Sequence, residues 1–197
     1  MLHKRPTQIE FLIDSFAVRD NLLQVAPGSP FAAQGAGPFG SDFRDADTLY
    51  VTNAHNGTGL GTISAFHVDR DGALTSIGAS PHADLQTGPC WLKVSPDGQI
   101  AFAINTGSTT ISRFQLNGDG TPTLLGSTPF LPAASSVALK VTDPGFDPSG
   151  RFFYVVDGAG YVSAFTVANN GNLGEIVSSP IALPAGATPS SLVVIQR

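Results

Sequence analysis

The chain has 197 residues, of which 42% are hydrophobic and only 13% charged, with 22 glycines and 15 prolines. That balance excludes a mainly helical fold, because Gly and Pro punctuate turns and break helices. The net charge of −5, with no basic run beyond Lys4–Arg5, excludes nucleic acid and an acidic membrane surface as partners, since both need clustered cations.

The N-terminal MLHKRPTQIEFLIDSF begins basic, but Gln8, Glu10 and Asp14 interrupt the apolar stretch that a signal peptide needs. No segment approaches the roughly 20 apolar residues of a membrane span. The expectation is a soluble protein, cytoplasmic as the chain stands and secreted if its true N-terminus is missing.

Residues 13–30, IDSFAVRDNLLQVAPGSP, match only the last two strands of a longer unit that follows in full three times. FRDADTLYVTNAHNG (43–57), VSPDGQIAFAINTGS (94–108) and FDPSGRFFYVVDGAG (146–160) align on sight, with Asn53, Asn105 and Asp157 at a constant spacing of 52. Each is followed by a second block, ISAFHVDRDGALTSIGASP (63–81), ISRFQLNGDGTPTLLGSTP (111–129) and VSAFTVANNGNLGEIVSSP (162–180).

Within a unit the pattern predicts four strands. The first is short and apolar, as at Trp91–Val94; a Ser-Pro-Asp-Gly turn leads to the second at Ile100–Ile104. The third, Ile111–Leu116, alternates apolar and polar residues as a half-buried strand does. An Asp-Gly or Asn-Gly turn leads to the fourth, Thr123–Leu125, which a Ser-Pro or Thr-Pro pair stops. Residues 189–197, PSSLVVIQR, match a first strand only.

Tandem four-stranded units of about 50 residues indicate an all-β fold, a β-propeller whose blades bury each other's apolar faces. The expected divisions are 1–36 (outer strands of a partial blade), 37–87, 88–137 and 138–188 (complete blades) and 189–197 (inner strand of a closing blade), forming an open arc.

The Ser-Pro-Asp-Gly-x-x-x-Phe run at 95–102, Tyr50-Val51-Thr52-Asn53 and the Ile-Ser-x-Phe strands resemble the lactonase-type seven-bladed propellers with YVTN-type repeats. That family includes a bacterial 6-phosphogluconolactonase and a fungal 3-carboxymuconate lactonising enzyme. The likeness covers nearly the whole chain and implies its C-terminal half. It implies hydrolysis or formation of a lactone of a sugar acid or muconate-type substrate. The chain departs from the family where a His-Pro pair would open an inner strand: it has Gly37-Pro38, Gly88-Pro89 and Thr188-Pro189. The alternative is a non-catalytic propeller that binds a ligand or protein, or an inactive truncated fragment. The partners to expect are a small lactone or organic acid, a protein partner, or the missing N-terminal blades.

The loops entering the inner strands and those joining second to third strands make one mouth of the channel. Asp143 enters the channel where Trp91 does one blade earlier. Its carboxylate is a candidate general base on water attacking a lactone carbonyl; alternatively it caps backbone N–H groups beside Pro144. His82 is a candidate acid–base partner with Asp84 in one loop, the alternative being two solvated loop residues. Trp91 is suited either to stacking on a ring-shaped ligand or to packing between blades. His55, Asn105 and Cys90 stand at the same mouth as ligand-binding candidates, Cys90 otherwise being a buried thiol. No cofactor is expected and no metal, because no histidine has a partner at ligand spacing and Cys90 is the single cysteine.

Overall fold

The structure, a computed structural model, describes residues 11–130 and 141–195. The regular elements among them are all strands. β1 (Leu12–Ile13), β2 (Phe16–Arg19), β3 (Leu22–Val25) and β4 (Phe31–Ala32) open the chain, with β1 paired to β4 and β2 to β3. The first full sheet has β5 (Pro38–Asp45), β6 (Thr48–Asn53), β7 (Thr62–Val68) and β8 (Leu74–Ser76), with β9 (His82–Ala83) returning to β7. The second has β10 (Pro89–Val94), β11 (Ile100–Asn105), β12 (Thr110–Leu116) and β13 (Pro122–Pro129). The third has β14 (Val141–Phe146), β15 (Phe152–Asp157), β16 (Tyr161–Val167) and β17 (Leu173–Glu175), with β18 (Ile181–Ala182) on β16.

Each of the three full sheets is antiparallel and keeps chain order from first strand to fourth, as consecutive propeller blades do. The register repeats as well: Asn53 faces Thr62 and Asn105 faces Thr110, while Ser41 faces Val51 and Leu92 faces Ala103. The fourth strand departs from its expected form. In the first and third sheets it is interrupted around Ser80-Pro81 and Ser179-Pro180 and resumes as β9 and β18, whereas β13 runs unbroken to Pro129. Proline has no N–H for the ladder, so it divides a strand in mid-course but is tolerated as a last residue.

The sheets hide their apolar faces against each other. Tyr50, Ile63 and Ala65 of the first sheet meet Leu92, Val94, Ala101, Ala103, Phe114 and Leu116 of the second. Phe102, Ile104 and Ile111 on the second sheet's other face meet Phe153, Val155 and Phe165 of the third. The Phe102 and Phe153 rings are 4.9 Å apart. Each fully buried phenylalanine here contributes roughly 1.5–3 kcal/mol.

Polar contacts lock the first joint between full sheets. The Tyr50 hydroxyl donates to the Gly120 carbonyl at 2.9 Å, and Arg44 Nη1 donates to the Asn117 carbonyl at 2.7 Å. Val94 N donates to Asp42 Oδ2 at 2.9 Å. The first strands come so close that a Cβ on Gly40 would stand 2.5 Å from the Cys90 carbonyl oxygen and 2.7 Å from Trp91 Cα. In the Ser-Pro-Asp-Gly turn, Gly98 has φ +69°, the left-handed conformation that placed glycine there. Residues 189–195 form no ladder among the described residues, but Leu192 and Val194 lie 3.5 Å from where a Cβ on Gly145 would stand, along the third sheet's first strand.

Candidate functional site

At the end of each second strand an amide or carboxylate organises the loop that follows. Asn105 Nδ2 donates to Thr110 Oγ1 at 3.1 Å and to Ser112 Oγ at 2.8 Å, and Thr110 Oγ1 donates to Gln86 Oε1 at 2.9 Å. Asn53 Nδ2 repeats the pattern with Thr62 and Ser64, both at 2.9 Å. At the third position a carboxylate has no N–H to give, and Asp157 Oδ1 instead accepts from the backbone N–H groups of Ala159 and Tyr161. Asn105 is fully buried, its amide nitrogen committed to fastening β11 to β12.

Cys90 and Trp91 lie side by side on β10. Cys90 Sγ is 3.1 Å from Thr106 Oγ1 and the residue is half-buried. Trp91 is half-buried too; one side packs on the core between second and third sheets, and Phe39 meets its ring edge-to-face with centroids 5.3 Å apart. Gly40, Trp91 and Asp143 hold the same register position on three successive first strands, one residue from Ser41, Leu92 and Pro144, which pair with Val51, Ala103 and Val155. Asp143 is half-buried, and its Oδ2 accepts a hydrogen bond from Leu192 N at 2.9 Å. The capped backbone is therefore 49 residues away, not the local one beside Pro144. Among the described residues Asp143 Oδ1 accepts no hydrogen bond.

The other candidates lie elsewhere. His55 is exposed in the loop after β6, beside Phe11 with ring centroids 6.4 Å apart. His82 sits on β9, facing Ile63 across the ladder, its Nε2 buried without a partner and pointing toward Gly78. No hydrogen bond or ion pair joins His82 to Asp84 or to Asp143. The structure thus gathers Cys90, Trp91 and Asn105 at one end of the second sheet and leaves His82 on the outermost strand of the first.

Asp84 is not the solvated loop residue that its polar surroundings in the sequence allow. It is 0% exposed, and both carboxylate oxygens are without a hydrogen-bond partner. Burial pushes its carboxyl up to about 6 from an ordinary 3.8; the nearby Ser112 hydroxyl pulls the other way without reaching hydrogen-bond geometry. The same place is held by Ala33, Phe130 and Leu183, as equivalent backbone bonds show: Asp84 N to Gly61 O, Ala33 N to Phe11 O, Phe130 N to Thr109 O and Leu183 N to Gly160 O. One of four equivalent positions has exchanged an apolar side chain for a buried acid. The unit-by-unit alignment held that signal, had each fourth-strand exit been compared.

No group of three or more His, Cys, Asp or Glu residues that could hold a metal ion occurs among the described residues. No helix among them is long and apolar enough to cross a membrane.

A family model described as "Lactonase, 7-bladed beta-propeller" matches residues 42–194. No match is found among curated proteins. Among solved structures, a Lactobacillus plantarum protein is similar over 87% of this chain and 51% of its own, at 21% identity and TM-score 0.69. A candidate 6-phosphogluconolactonase from Bacteroides uniformis matches at 16% identity and TM-score 0.67, over 87% of this chain and 50% of its own. The periplasmic gluconolactonase of Pseudomonas aeruginosa matches at 17% identity and TM-score 0.69, over 86% and 50%. These likenesses concern the fold, and the chain spans about half the length of each of those structures.

Proposed function

We propose, for a chain that belongs to the lactonase family of seven-bladed β-propellers, that the entrance lined by its first strands handles a small lactone of a sugar acid. The observation that carries this reading is the alignment of Trp91 and Asp143 at one register position on successive first strands. The Trp91 ring, braced edge-on by Phe39, offers an apolar face to a sugar-like ring. Asp143, oriented through Oδ2 by Leu192 N, keeps Oδ1 for a water molecule. In this reading Asp143 takes a proton from water as its oxygen attacks the lactone carbonyl carbon. The ring C–O bond then breaks, and the same proton passes to the departing ring oxygen. His82, on the outermost strand of the first sheet, is given no step.

The test is the hydrolysis rate of 6-phosphogluconolactone and glucono-lactone with the purified chain. Asp143→Asn should lower kcat by about 100-fold, the scale of a positioned general base, and Trp91→Ala should act mainly through KM. No turnover above buffer from a chain with native-like circular dichroism would overturn the proposal. Binding of a sugar acid without turnover would favour the second reading, a ligand-holding scaffold, which the existing Leu192–Asp143 bond supports.

A further inference from the structure

The two joints between full sheets differ at the end away from the candidate entrance. At the first joint, two side chains of one sheet reach the β12–β13 turn of the next. Arg44 Nη1 donates to the Asn117 carbonyl at 2.7 Å, and the Tyr50 hydroxyl donates to the Gly120 carbonyl at 2.9 Å. Arg44 runs past the β10–β11 turn, its Cγ 3.2 Å from where a Cβ on Gly98 would stand, and its Nε donates to Asp45 Oδ2 at 2.9 Å. The side chain is only 21% exposed. One arginine fills the crevice between the two turns.

The second joint has the same crevice and neither donor. Pro96 stands where Arg44 does, its Cδ 3.2 Å from where a Cβ on Gly150 would be. Asp97 matches Asp45, each accepting the N–H two residues further on through Oδ1, from Gln99 and Asp47. Phe102, paired with Lys93 as Tyr50 is with Asp42, has no hydroxyl. Ala168 and Gly171 take the places of Asn117 and Gly120, because Gly171 N donates to Ala168 O as Gly120 N does to Asn117 O. Arg113 crosses this joint too, but to the Asn172 side chain. A cavity of about 180 Å3 remains, with Pro96, Asp97, Gly150, Arg151, Ala168 and Gly171 on its walls. The link between the two sheets lies at their other end, where Thr110 faces Pro129 and Val141 faces Asp157.

We propose that this crevice is a binding site for a guanidinium group, seated as Arg44 is seated one joint earlier. Its N–H groups donate to the Ala168 carbonyl, the counterpart of the Asn117 carbonyl that Arg44 uses. Asp97 Oδ2 accepts no hydrogen bond among the described residues and supplies the carboxylate that Asp45 gives Arg44. The guanidinium fork, with five donors in one plane, suits acceptors spread along a crevice better than a compact ammonium does. The cavity is smaller than the roughly 300 Å3 at which sites for drug-sized ligands begin, so it takes a side-chain-sized group and no sugar ring. Arg151 on its wall is exposed, its guanidinium carbon 5.9 Å from the Phe152 ring centroid, and Asp97 and Asp147 outweigh its charge. The inference does not rest on the lactone reading.

The probe is N-acetyl-arginine amide, titrated into the isotope-labelled chain and followed through the backbone amide resonances. Saturable shifts are expected at residues 97–98, 150–151 and 169–171, with a Kd of about 1–10 mM, the scale of one small group. The citrulline analogue, alike in shape but uncharged, should bind about fivefold more weakly. Pro96→Arg places the chain's own guanidinium in the seat and should abolish the shifts. Asp97→Asn keeps an acceptor for the turn and should weaken binding about two- to fivefold, as loss of an exposed ion pair does; it carries the test should Pro96→Arg not fold. Free L-arginine and the tripeptide Gly-Arg-Gly separate the sources: tighter binding of the first assigns the site to a small metabolite, and of the second to an arginine on another polypeptide. Absence of saturable shifts, equal affinity for the citrulline analogue, or wild-type affinity in a folded Pro96→Arg variant would each overturn the proposal.

Discussion

At the joint between the N-terminal strands and the first full sheet, Ala33 and Gly35 occupy the places that Asp84 and Gln86 take at the next joint. Beneath them the two joints are alike: Asn53 and Asn105 each donate twice, to Thr62 and Ser64 in one and to Thr110 and Ser112 in the other. What covers those amides differs. A Cβ on Gly35 would stand 2.7–2.8 Å from the Asn53 side chain, so the first joint is closed by backbone. The second is closed by side chains, one of them a carboxyl with no partner. The comparison separates what these two joints share, an amide tying second strand to third, from what covers it. A buried unpaired acid lowers stability wherever it is ionised, so Asp84 marks the joint where something other than packing has shaped the sequence.

The comparison can be broken most severely at Gly40. Gly40→Ala forces a methyl against the backbone of Cys90 and Trp91, which cannot swing aside, and should cost about 3 kcal/mol or more. Gly35→Ala meets the Asn53 side chain rather than backbone and should cost less, about 1–2 kcal/mol. Urea denaturation midpoints of the two variants rank them, and equal losses would mean that both joints give way alike.

Next in size is Asp84. Its folded-state carboxyl binds the proton more tightly than the unfolded one, about 6 against 3.8. As pH rises past 3.8 the unfolded chain loses its proton first, so stability present at low pH is lost between about 4 and 6 and stays lost above. A shift of this size corresponds to ~3 kcal/mol. Asp84→Asn should therefore stabilise the protein by up to that amount at pH 7.5 and by almost nothing at pH 4. A gain independent of pH would show that the carboxyl finds a partner in solution.

The smallest effect sharpens the comparison at its far end. Tyr50→Phe removes the bond to the Gly120 carbonyl and leaves that oxygen unpaired, for about 1 kcal/mol. Thermal unfolding of this variant should shift downward by a few degrees. An unchanged midpoint would mean that the hydroxyl adds nothing to the packing around it.

Much of the fold was legible before any coordinates. The spacing of Asn53, Asn105 and Asp157 and the alternation in the Ile-Ser-x-Phe strands located the second and third strands, because a half-buried strand writes its two faces into every second residue. The register of Trp91 with Asp143 followed from the same alignment. Less could be read where the chain leaves the repeat. His82 and Asp84 fall in a short polar connection, and polar connections usually lie in water; only coordinates show the second sheet closing over this one. Nor does anything near Asp143 announce Leu192, because the bond crosses from one sheet to the chain's last segment.

The bond from Tyr50 to Gly120 spans 70 residues, yet it joins nearest neighbours. The same is true of Arg44 and Asn117. Cohesion in such a molecule passes from each sheet to the next, like the teeth of a zip, and among the described residues no identified hydrogen bond joins a sheet to one two places away. Melting should then begin at the outermost members and travel inward. The middle sheet, clasped on both sides, would be the last to let go.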